Sequence, residues 1–432
     1  MRRKLLMMAL LVPVLTWGQD RLTLQDAISI ALKNNYSILI SANTAQISAN
    51  DNTIGNAGML PTVDATGTLS EAQNNLRQTY ADGRVVDRNS VSNNVVSAGV
   101  LLNWTLFNGM RMFATKGRLS ELAAKGEVQY KQDLENTVQD VISSYFAVVQ
   151  VSKLLEAIEV NIAIDSERVA LANIRLGSGA GSRLDYLQAS VDLNEQYSSR
   201  MKLQVSYREA KDHLNYVLSR NPSIDFVPAD SMLITYSPQA DSLRASVQRN
   251  NFTILSALHD QRISLQSLKE AKSYYMPQLD GSVGYNFLKN ENEAGFLLSN
   301  RTTGLNYGLS LSWNLFNGLN TRREVGNARL RTQSAGYFLE DTKLQISTEL
   351  EKALRDFESN RQILALEEQN ILLARENLDI AFERFRSGLY TSLQLKDAQL
   401  SFQDAEVRLV QVQYAAKQSE TELMRLNGEL VK

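Results

Sequence analysis

Apolar and polar residues alternate along several short stretches of the chain, most clearly from residue 304 to 315. Leu, Tyr and Trp occupy the odd positions there, whereas Gly, Asn and Ser occupy the even ones. A period of two places the two sets on opposite faces of a β-strand. The same alternation recurs at 96–106, 63–70 and 279–287. The sequence therefore predicts four two-faced strands.

Two of these strands end in nearly the same phrase. Trp-Thr-Leu-Phe-Asn-Gly occupies Trp104–Gly109, and Trp-Asn-Leu-Phe-Asn-Gly occupies Trp313–Gly318 in the second half of the chain. The other two strands follow Pro61 and Pro277, again one in each half. Proline disfavours helix at the residue before it, so it suits a switch from helix to strand. The chain is therefore an internal duplication.

The two halves differ by seven residues between the proline and the tryptophan. The difference falls in two polar stretches, 73–93 and 289–302. Loops tolerate changes in length better than the elements that they join. We therefore predict that these stretches are the hairpin loops.

Long helices are predicted after each pair of strands. Proline is absent from 62–221 and 278–432, so no proline interrupts a helix there. Apolar residues between 346 and 385 recur at a spacing close to 3.5, which is typical of packed helices. The segments predicted to be helical are 110–176, 183–220, 319–386 and 391–428.

The last predicted helix carries two apolar rows. One includes Leu393, Leu400 and Val407, and the other includes Leu395 and Phe402. A helix with two such rows packs against neighbours on two sides, which favours a cylinder of helices. An ordinary coiled coil without a channel is the alternative interpretation of this periodicity.

The first residues are typical of an exported protein. Arg2–Lys4 precede an apolar run at 5–15, and Thr16 and Gly18 are small, which predicts a signal peptide at 1–18. No later apolar run is long enough to cross a bilayer as a helix, so we predict no transmembrane helix.

The side-chain chemistry argues against catalysis. The chain has no Cys and two His, His213 and His259, both in polar surroundings. No nucleophile, acid/base pair or phosphate-binding loop is recognisable, so we expect no enzyme, no cofactor and no metal site. A formal net charge of −2 argues against a nucleic-acid partner.

Four strands are too few to close a membrane barrel, since single-chain barrels start at eight. An open sheet would expose an apolar face and two unpaired edges. Several copies must therefore associate, with apolar residues towards lipid and polar residues towards water. Trp104 and Trp313 then suit an aromatic belt at the membrane interface. A soluble sandwich with one wet face is the alternative.

At this point the chain resembles the TolC-like outer-membrane efflux proteins along essentially its whole mature length. The resemblance rests on the proline-initiated strand pairs, the two tryptophan phrases, and turn motifs at Arg175–Ala189 and Arg384–Leu395. It implies a membrane α/β-barrel with four strands and long helices per protomer. Three protomers would form a twelve-stranded β-barrel, continued by a periplasmic α-barrel of twelve helices.

The resemblance also assigns a place to each segment. These are a signal peptide at 1–18, equatorial or tunnel helices at 19–60, a transmembrane hairpin at 61–108, a long helical hairpin at 109–221, an equatorial linker at 222–240, a short helical pair at 241–276, a second transmembrane hairpin at 277–317, a second long helical hairpin at 318–428 and a tail at 429–432.

The turn motifs suit the sharp reversal of a long helix. Gly179 and Gly388 can adopt the left-handed conformation that ends a helix. Ser182 and Ser392 are plausible N-caps of the returning helices. In the family such tips meet a periplasmic adaptor, although these residues would be explained equally well if they only made the turn. The predicted docking residues are Gly179, Ser182, Leu184, Gly388, Ser392 and Leu393.

The resemblance further implies acidic residues that narrow the tunnel end. Asp185 and Asp397 match acidic positions of the family, whereas Gln394 stands where a second acid is usual. Phe385 and Tyr390 stand where a Tyr and an Arg make locking contacts. We therefore expect a constriction of these five residues that relies on aromatic packing and fewer charges.

The expected function is a passive export duct in the outer membrane, surrounded by lipid and extending into the periplasm. The homotrimer would receive solutes from a periplasmic adaptor, or membrane fusion protein, and an inner-membrane pump of the resistance-nodulation or ABC type. The alternative is a structural, periplasm-spanning coiled-coil protein without channel activity. A hydrolase bound to the cell wall is a remote third, because no acid/base pair supports it.

Overall fold

The computed structural model describes residues 21–295 and 297–431. The predicted signal peptide at 1–18 lies outside these residues. The elements in chain order are β1 (Arg21–Leu22), α1 (Leu24–Asn34), α2 (Tyr36–Asp51), β2 (Thr62–Thr79), β3 (Val85–Asn108), α3 (Arg111–Gly177), α4 (Arg183–Val217), β4 (Val227–Pro228), α5 (Ala240–Asn250), α6 (Phe252–Ser273), β5 (Gln278–Asn292), β6 (Ser299–Ser312), α7 (Asn320–Arg386) and α8 (Ser392–Leu426).

The chain divides into two compact units. The first contains residues up to Ile40, Lys131–Asn251 and the chain from Ile346 onward. The second contains Ser41–Tyr130 and Phe252–Gln345. Each unit thus draws on both halves of the duplicated sequence.

The second unit contains the predicted strands. They form one antiparallel sheet in the order β2-β3-β5-β6, so the two hairpins lie side by side. Two bulges interrupt the ladders, at Asn74/Leu76 and at Thr105/Phe107. The edges of the described sheet are therefore β2 and β6, one from each half of the duplication.

The hairpin turns lie within the two predicted loop stretches, at 80–84 and 293–298, but the predicted loops are too long. Pairing of β2 with β3 continues through the polar stretch to Thr79 and Val85, and β5 continues to Asn292 before β6 begins at Ser299. A ladder is held by backbone hydrogen bonds, so polar side chains on both faces do not end it. The extra length of the first half lies in longer strands, of 18 and 24 residues against 15 and 14.

The four long helices are confirmed within a few residues of their predicted ends. By length and composition alone, α3 contains an 18-residue window apolar enough to cross a membrane, and 44 % of that window is buried. The same helix supplies Val141, Tyr145 and Val148 to the core of the first unit, where none of them is exposed. Much of its apolar content therefore serves packing.

Tyr145 of α3 links the core of the first unit to β1 and to the residues after β4. The Tyr145 hydroxyl lies 2.8 Å from Asp230 Oδ2 and 2.9 Å from Leu22 O, the two acceptors for its single proton, and it accepts from Ala229 N at 3.1 Å. Burial is the main cause that raises the pKa of Tyr145. The two-stranded parallel sheet of β1 and β4 is thereby held against α3.

Helix α8 buries one of its two apolar rows, whereas the other is buried only from Val410 onward. Leu395 and Phe402 are 0 % and 3 % exposed and pack against α7. Leu393, Leu400 and Val407 stay exposed, at 67 %, 45 % and 39 %. Helix α8 also contacts α3 through Gln399 and α4 through Lys396, so the protomer supplies neighbours on more than one side, while these three side chains stay uncovered.

Candidate functional site

The repeated tryptophans make the same hydrogen bond at the base of their hairpins. Trp104 Nε1 donates to Met59 O at 3.0 Å, and Trp313 Nε1 donates to Tyr275 O at 3.1 Å. Each acceptor lies two residues before the proline that precedes a strand. Both side chains stay partly exposed, at 43 % and 59 %. The indole ties the end of one strand to the start of another and keeps an apolar face free, as an interfacial position requires.

The glycine that ends each phrase has the same backbone and different surroundings. Gly109 and Gly318 have φ of +67° and +68°, which other residues rarely adopt. A Cβ on Gly109 would lie 2.8 Å from Met276 Cβ and would also meet the Ser273 carbonyl. A Cβ on Gly318 would have Asn320 Nδ2, at 3.8 Å, as its nearest neighbour. The first turn is packed, whereas the second is open.

Only the first copy of the phrase lies in a strand that pairs with a neighbouring strand. Residues 104–108 belong to β3 and pair with β5 as far as Asn108 and Gln278. The ladder of β6 ends at Ser312, just before the second phrase begins. Leu315 and Phe316 are consequently 79 % and 76 % exposed.

Glycines reverse the chain at both helical tips, as predicted. Gly179 and Gly388 have φ of +75° and +77°. Close by, Leu184 and Leu393 are 72 % and 67 % exposed at the start of the returning helices. Each tip thus presents a leucine that packs poorly within the protomer.

One of the two predicted N-caps is confirmed. Ser182 Oγ accepts from Leu184 N at 3.1 Å at the start of α4. The prediction of Ser392 is wrong, because Thr391 caps α8 and Ser392 is its first residue. Thr391 Oγ1 accepts from Gln394 N at 3.3 Å, and Gln394 Oε1 accepts from Thr391 N at 2.9 Å. This capping box is a Thr-x-x-Gln pattern that the sequence already carried.

Among the polar residues of the predicted constriction, Asp185 lies in the first turn of α4, Gln394 in the first turn of α8 and Asp397 in its second turn. Asp397 and Gln394 are exposed, and Asp185 is half-buried. Gln394 also stabilises the start of α8 through the capping box with Thr391, a role that its exposure alone would not reveal. Whether these side chains line a passage stays a prediction.

The aromatic residues of the predicted constriction have different surroundings. Phe385 is 3 % exposed and belongs to the core between α7 and α8. Tyr390 is half-buried, and its hydroxyl accepts from Arg384 Nη1 at 3.2 Å. The burial of Phe385 favours a role in supporting the tip from inside the protomer.

A clamp between the two tips escaped the sequence analysis. Arg175 donates through Nη2 to the carbonyl oxygens of Phe385 and of Arg386, and its guanidinium lies 4.3 Å from the centre of the Phe385 ring. Arg386 pairs with Glu167 at 2.7 Å. The C-terminal ends of α3 and α7 are therefore joined. No sequence signal points to this contact, since the acceptors are backbone carbonyls.

These surfaces offer packing and backbone hydrogen bonds, with no reactive centre among them. No group of three or more His, Asp or Glu side chains is placed to hold a metal ion in the described part of the chain. The arrangement suits association with other macromolecules.

Comparison with known sequences identifies the family. The family profile of the outer membrane efflux protein matches residues 27–218 and 243–429. The outer membrane efflux protein BepC of Brucella suis biovar 1 is 22 % identical over 94 % of this chain and 86 % of its own length. The outer membrane protein TolC of Escherichia coli K12 is 19 % identical over 78 % of this chain and 70 % of its own length.

Comparison with solved structures supports the same fold. The CmeC outer membrane channel of Campylobacter jejuni matches with a TM-score of 0.80 at 16 % identity, over 94 % of this chain and 85 % of that one. The MtrE outer membrane channel of Neisseria gonorrhoeae, solved in its open state, matches with a TM-score of 0.76 at 17 % identity, over 95 % and 89 %. The resemblance to the TolC-like proteins is thus confirmed. Because the family profile spans most of its length, the chain belongs to the outer membrane efflux protein family, whose members are channels and not enzymes.

Proposed function

We propose that three copies of this chain form a passive export duct in the outer membrane. Each copy supplies four strands to a closed barrel of twelve and its long helices to a periplasmic tunnel of twelve. The observation that carries the proposal is the open sheet, whose edges β2 and β6 have no partner strand among the described residues. Unpaired backbone groups at a sheet edge are costly in lipid, and closure between copies pairs them.

The internal duplication supplies a register for the contact between copies. Within the chain, Asn103 of β3 lies opposite Ser282 of β5. Alignment of the two tryptophan phrases makes Ser312 the equivalent of Asn103, and alignment of Pro61 with Pro277 makes Thr66 the equivalent of Ser282. The same pairing between copies places Ser312 opposite Thr66 of the partner subunit. It also places a strand of the partner subunit beside the second tryptophan phrase, as β5 lies beside the first.

The helices support association in the same way. The row of Leu393, Leu400 and Val407 has the heptad spacing of a helix contact, yet it is exposed in the protomer. In a closed tunnel, a helix of a neighbouring copy covers this row. An ordinary coiled coil needs only one apolar row, so the second row favours a tunnel over the structural coiled-coil protein.

The exposed helical tips suggest one partner, and the need for an energy source suggests another. We place the periplasmic adaptor at the two tips, where Leu184 and Leu393 are exposed beside Gly179 and Gly388. Energy comes from an inner-membrane pump of the resistance-nodulation or ABC type. The protein then lies in the outer membrane and reaches into the periplasm.

Disulfide crosslinking tests the trimer and its register. The chain has no Cys, so Thr66→Cys with Ser312→Cys creates the only reactive pair. Oxidation should yield covalent trimers, because each copy carries both halves of the pair. The matched control, Asn103→Cys with Ser282→Cys, should crosslink only within the chain. Monomers alone in the first variant, with efficient crosslinking in the control, would contradict the trimer.

Bilayer conductance tests the duct itself. The purified trimer should carry ion current, and a correctly assembled trimer without current would favour the structural alternative. Asp397→Ala should reduce block by multivalent cations if Asp397 lines the constriction. Asp241→Ala, which removes a carboxylate far along the sequence that is 99 % exposed, is the matched control. Equal block in wild type and Asp397→Ala would remove Asp397 from the constriction.

A further inference from the structure

A cluster of charged side chains is buried where three helices of the first unit meet. Asp165 and Arg168 of α3 are each 1 % exposed, and Asp192 of α4 is 7 % exposed. Helix α8 contributes Gln399, which is 2 % exposed, and Lys396 at the margin. Buried charges are stable only when they are paired and hydrogen-bonded.

Asp192 takes most of the available partners. Arg168 pairs with it through Nη2, and Lys396 Nζ donates to its Oδ1 at 2.8 Å. Gln188 Nε2 donates to the same oxygen at 2.9 Å. The other guanidinium nitrogen of Arg168, Nη1, donates to Gln399 Oε1 at 3.1 Å.

Asp165 is left without a comparable partner. Its Oδ1 lies 3.4 Å from Arg168 Nη2, the nitrogen that already serves Asp192. Neither of its carboxylate oxygens has a hydrogen bond of good geometry among the described residues, although the side-chain amides of Gln399 and Gln196 interact with the carboxylate. Two buried carboxylates thus share one buried guanidinium.

The carboxylate of Asp165 borders a cavity of about 340 Å³. The charged groups that line it are Arg168 on the same helix, Asp192 and Glu195 on α4, and Lys396 on α8. The set contains three acids and two bases, and no described group of side chains is placed to hold a metal ion. A proton is therefore the ligand that the site accepts with the least rearrangement.

We propose that Asp165 is a proton-controlled switch for the packing of α3 against α4 and α8. The neutral acid donates a hydrogen bond within the cluster and leaves Arg168 to Asp192. The ionised form brings a second negative charge beside Asp192 and competes for the same guanidinium. Uptake of a proton tightens the three-helix contact, and its release loosens it.

The pKa directions agree with this geometry. Burial is the largest influence on Asp165 and raises its pKa. The Gln399 amide and the Arg168 charge, and more weakly the Gln196 amide, oppose this rise, and the charge of Asp192 adds to it, so that the pKa remains raised. Burial also opposes ionisation of Asp192, but hydrogen bonds from Lys396, Gln188 and Arg168 outweigh it and lower the pKa of that carboxyl. The contribution of Asp165 to stability is complete below the ordinary carboxyl value of 3.8 and is lost as pH rises through the raised value.

Amide hydrogen exchange between pH 4 and pH 8 measures the switch on the full purified trimer. After correction for the intrinsic rate, opening of residues 160–175 and 186–199 should become easier as pH rises, by up to about tenfold per pH unit for one released proton. In Asp165→Asn, which keeps the shape and removes the charge, this dependence should shrink. Asp140 and Glu406, whose pKa values are also raised by burial, account for what remains.

Two further variants keep the test decisive. Asp165→Ala leaves a small void and should be less stable, yet its opening should be as insensitive to pH as that of Asp165→Asn. Asp192→Asn should open more easily, most strongly at neutral pH, because it removes the ionised partner of Arg168 and Lys396. A wild-type pH response in either neutral variant of Asp165 would overturn the proposal.

The consequence for transport, which rests on the proposed function, is that acid stiffens the tip-bearing helices and slows their opening. Hydrogen exchange reports on the switch whether or not the protein conducts. A normal pH response in a trimer without ion current would count against the duct and support the switch.

Discussion

The two copies of the tryptophan phrase have nearly the same sequence and very different surroundings. The first lies in β3 between β2 and β5, and its Gly109 is packed against the backbone of Ser273. The second follows the edge strand β6, and Gly318 has open space around it. Both copies keep the indole hydrogen bond and the positive φ of the glycine.

The shared features are local, and the missing features are contacts with a neighbouring hairpin. The first copy finds that neighbour in its own chain, because the second hairpin follows it. The second copy has no further hairpin in the described chain. In the proposed trimer, this second copy is the place where the partner subunit pairs.

The largest expected effect comes from the two glycines. In the dissociated protomer, Gly109→Ala should lower the free energy of unfolding by about 2–4 kcal/mol, through backbone strain and a clash with Ser273 and Met276. Gly318→Ala should cost only about 1–2 kcal/mol there, because strain acts alone. Urea unfolding in detergent measures both.

In the assembled trimer the two glycine variants should converge. When Pro61 is aligned with Pro277, the equivalents of Ser273 and Met276 in the first half are Ala57 and Leu60. The proposed register brings these two residues of the partner subunit to Gly318. Gly318→Ala should therefore reduce the yield of trimer, measured by native electrophoresis. A trimer that tolerates Gly318→Ala would break the analogy between the two copies.

A smaller effect is expected at the strand below the phrase. Thr105 Oγ1 donates to Asp280 Oδ1 at 2.8 Å across β3 and β5. Asp280→Ala should cost the protomer about 1.5–2 kcal/mol, because a hydrogen bond to a charged group is stronger than one to a neutral group. Its equivalent, Asp64→Ala, should leave protomer stability unchanged and lower the thermal stability of the trimer. Asp82→Ala, at the hairpin turn, is the control; a protomer effect of Asp64→Ala would contradict the proposed seam.

The smallest effect should be equal in the two copies. Trp104→Phe and Trp313→Phe each remove one hydrogen bond to a carbonyl and should cost about 0.5–1.5 kcal/mol. Thermal unfolding followed by circular dichroism compares them. A clear difference between the two would show that the hairpin bases are not equivalent.

Much of the fold could be predicted because its signals are local. Period-two alternation located the strands, and proline-free stretches with regular apolar spacing located the helices. The positive φ of Gly179 and Gly388 follows from turn chemistry. The hairpin loops were predicted too long because a polar strand and a polar loop look alike in sequence, whereas a backbone ladder does not depend on side-chain polarity.

The candidate site was predicted less completely. The capping role of Thr391 was within reach, since Gln394 stands three residues later. The clamp of Arg175 on the carbonyl of Phe385 was not, because backbone acceptors carry no residue-specific signal. The isolation of Asp165 depends on three helices that approach one another only in the folded chain.

The sequence by itself determined the duplication, the four two-faced strands and the long helices. These follow from periodicity and from the chemistry of proline and glycine, which act over a few residues. The tertiary structure decided which copy of the phrase lies in a paired strand, which part of the apolar surface of α8 is buried, and which carboxylate pairs less closely with Arg168. Those outcomes depend on distances between residues far apart in the chain, and only packing sets such distances.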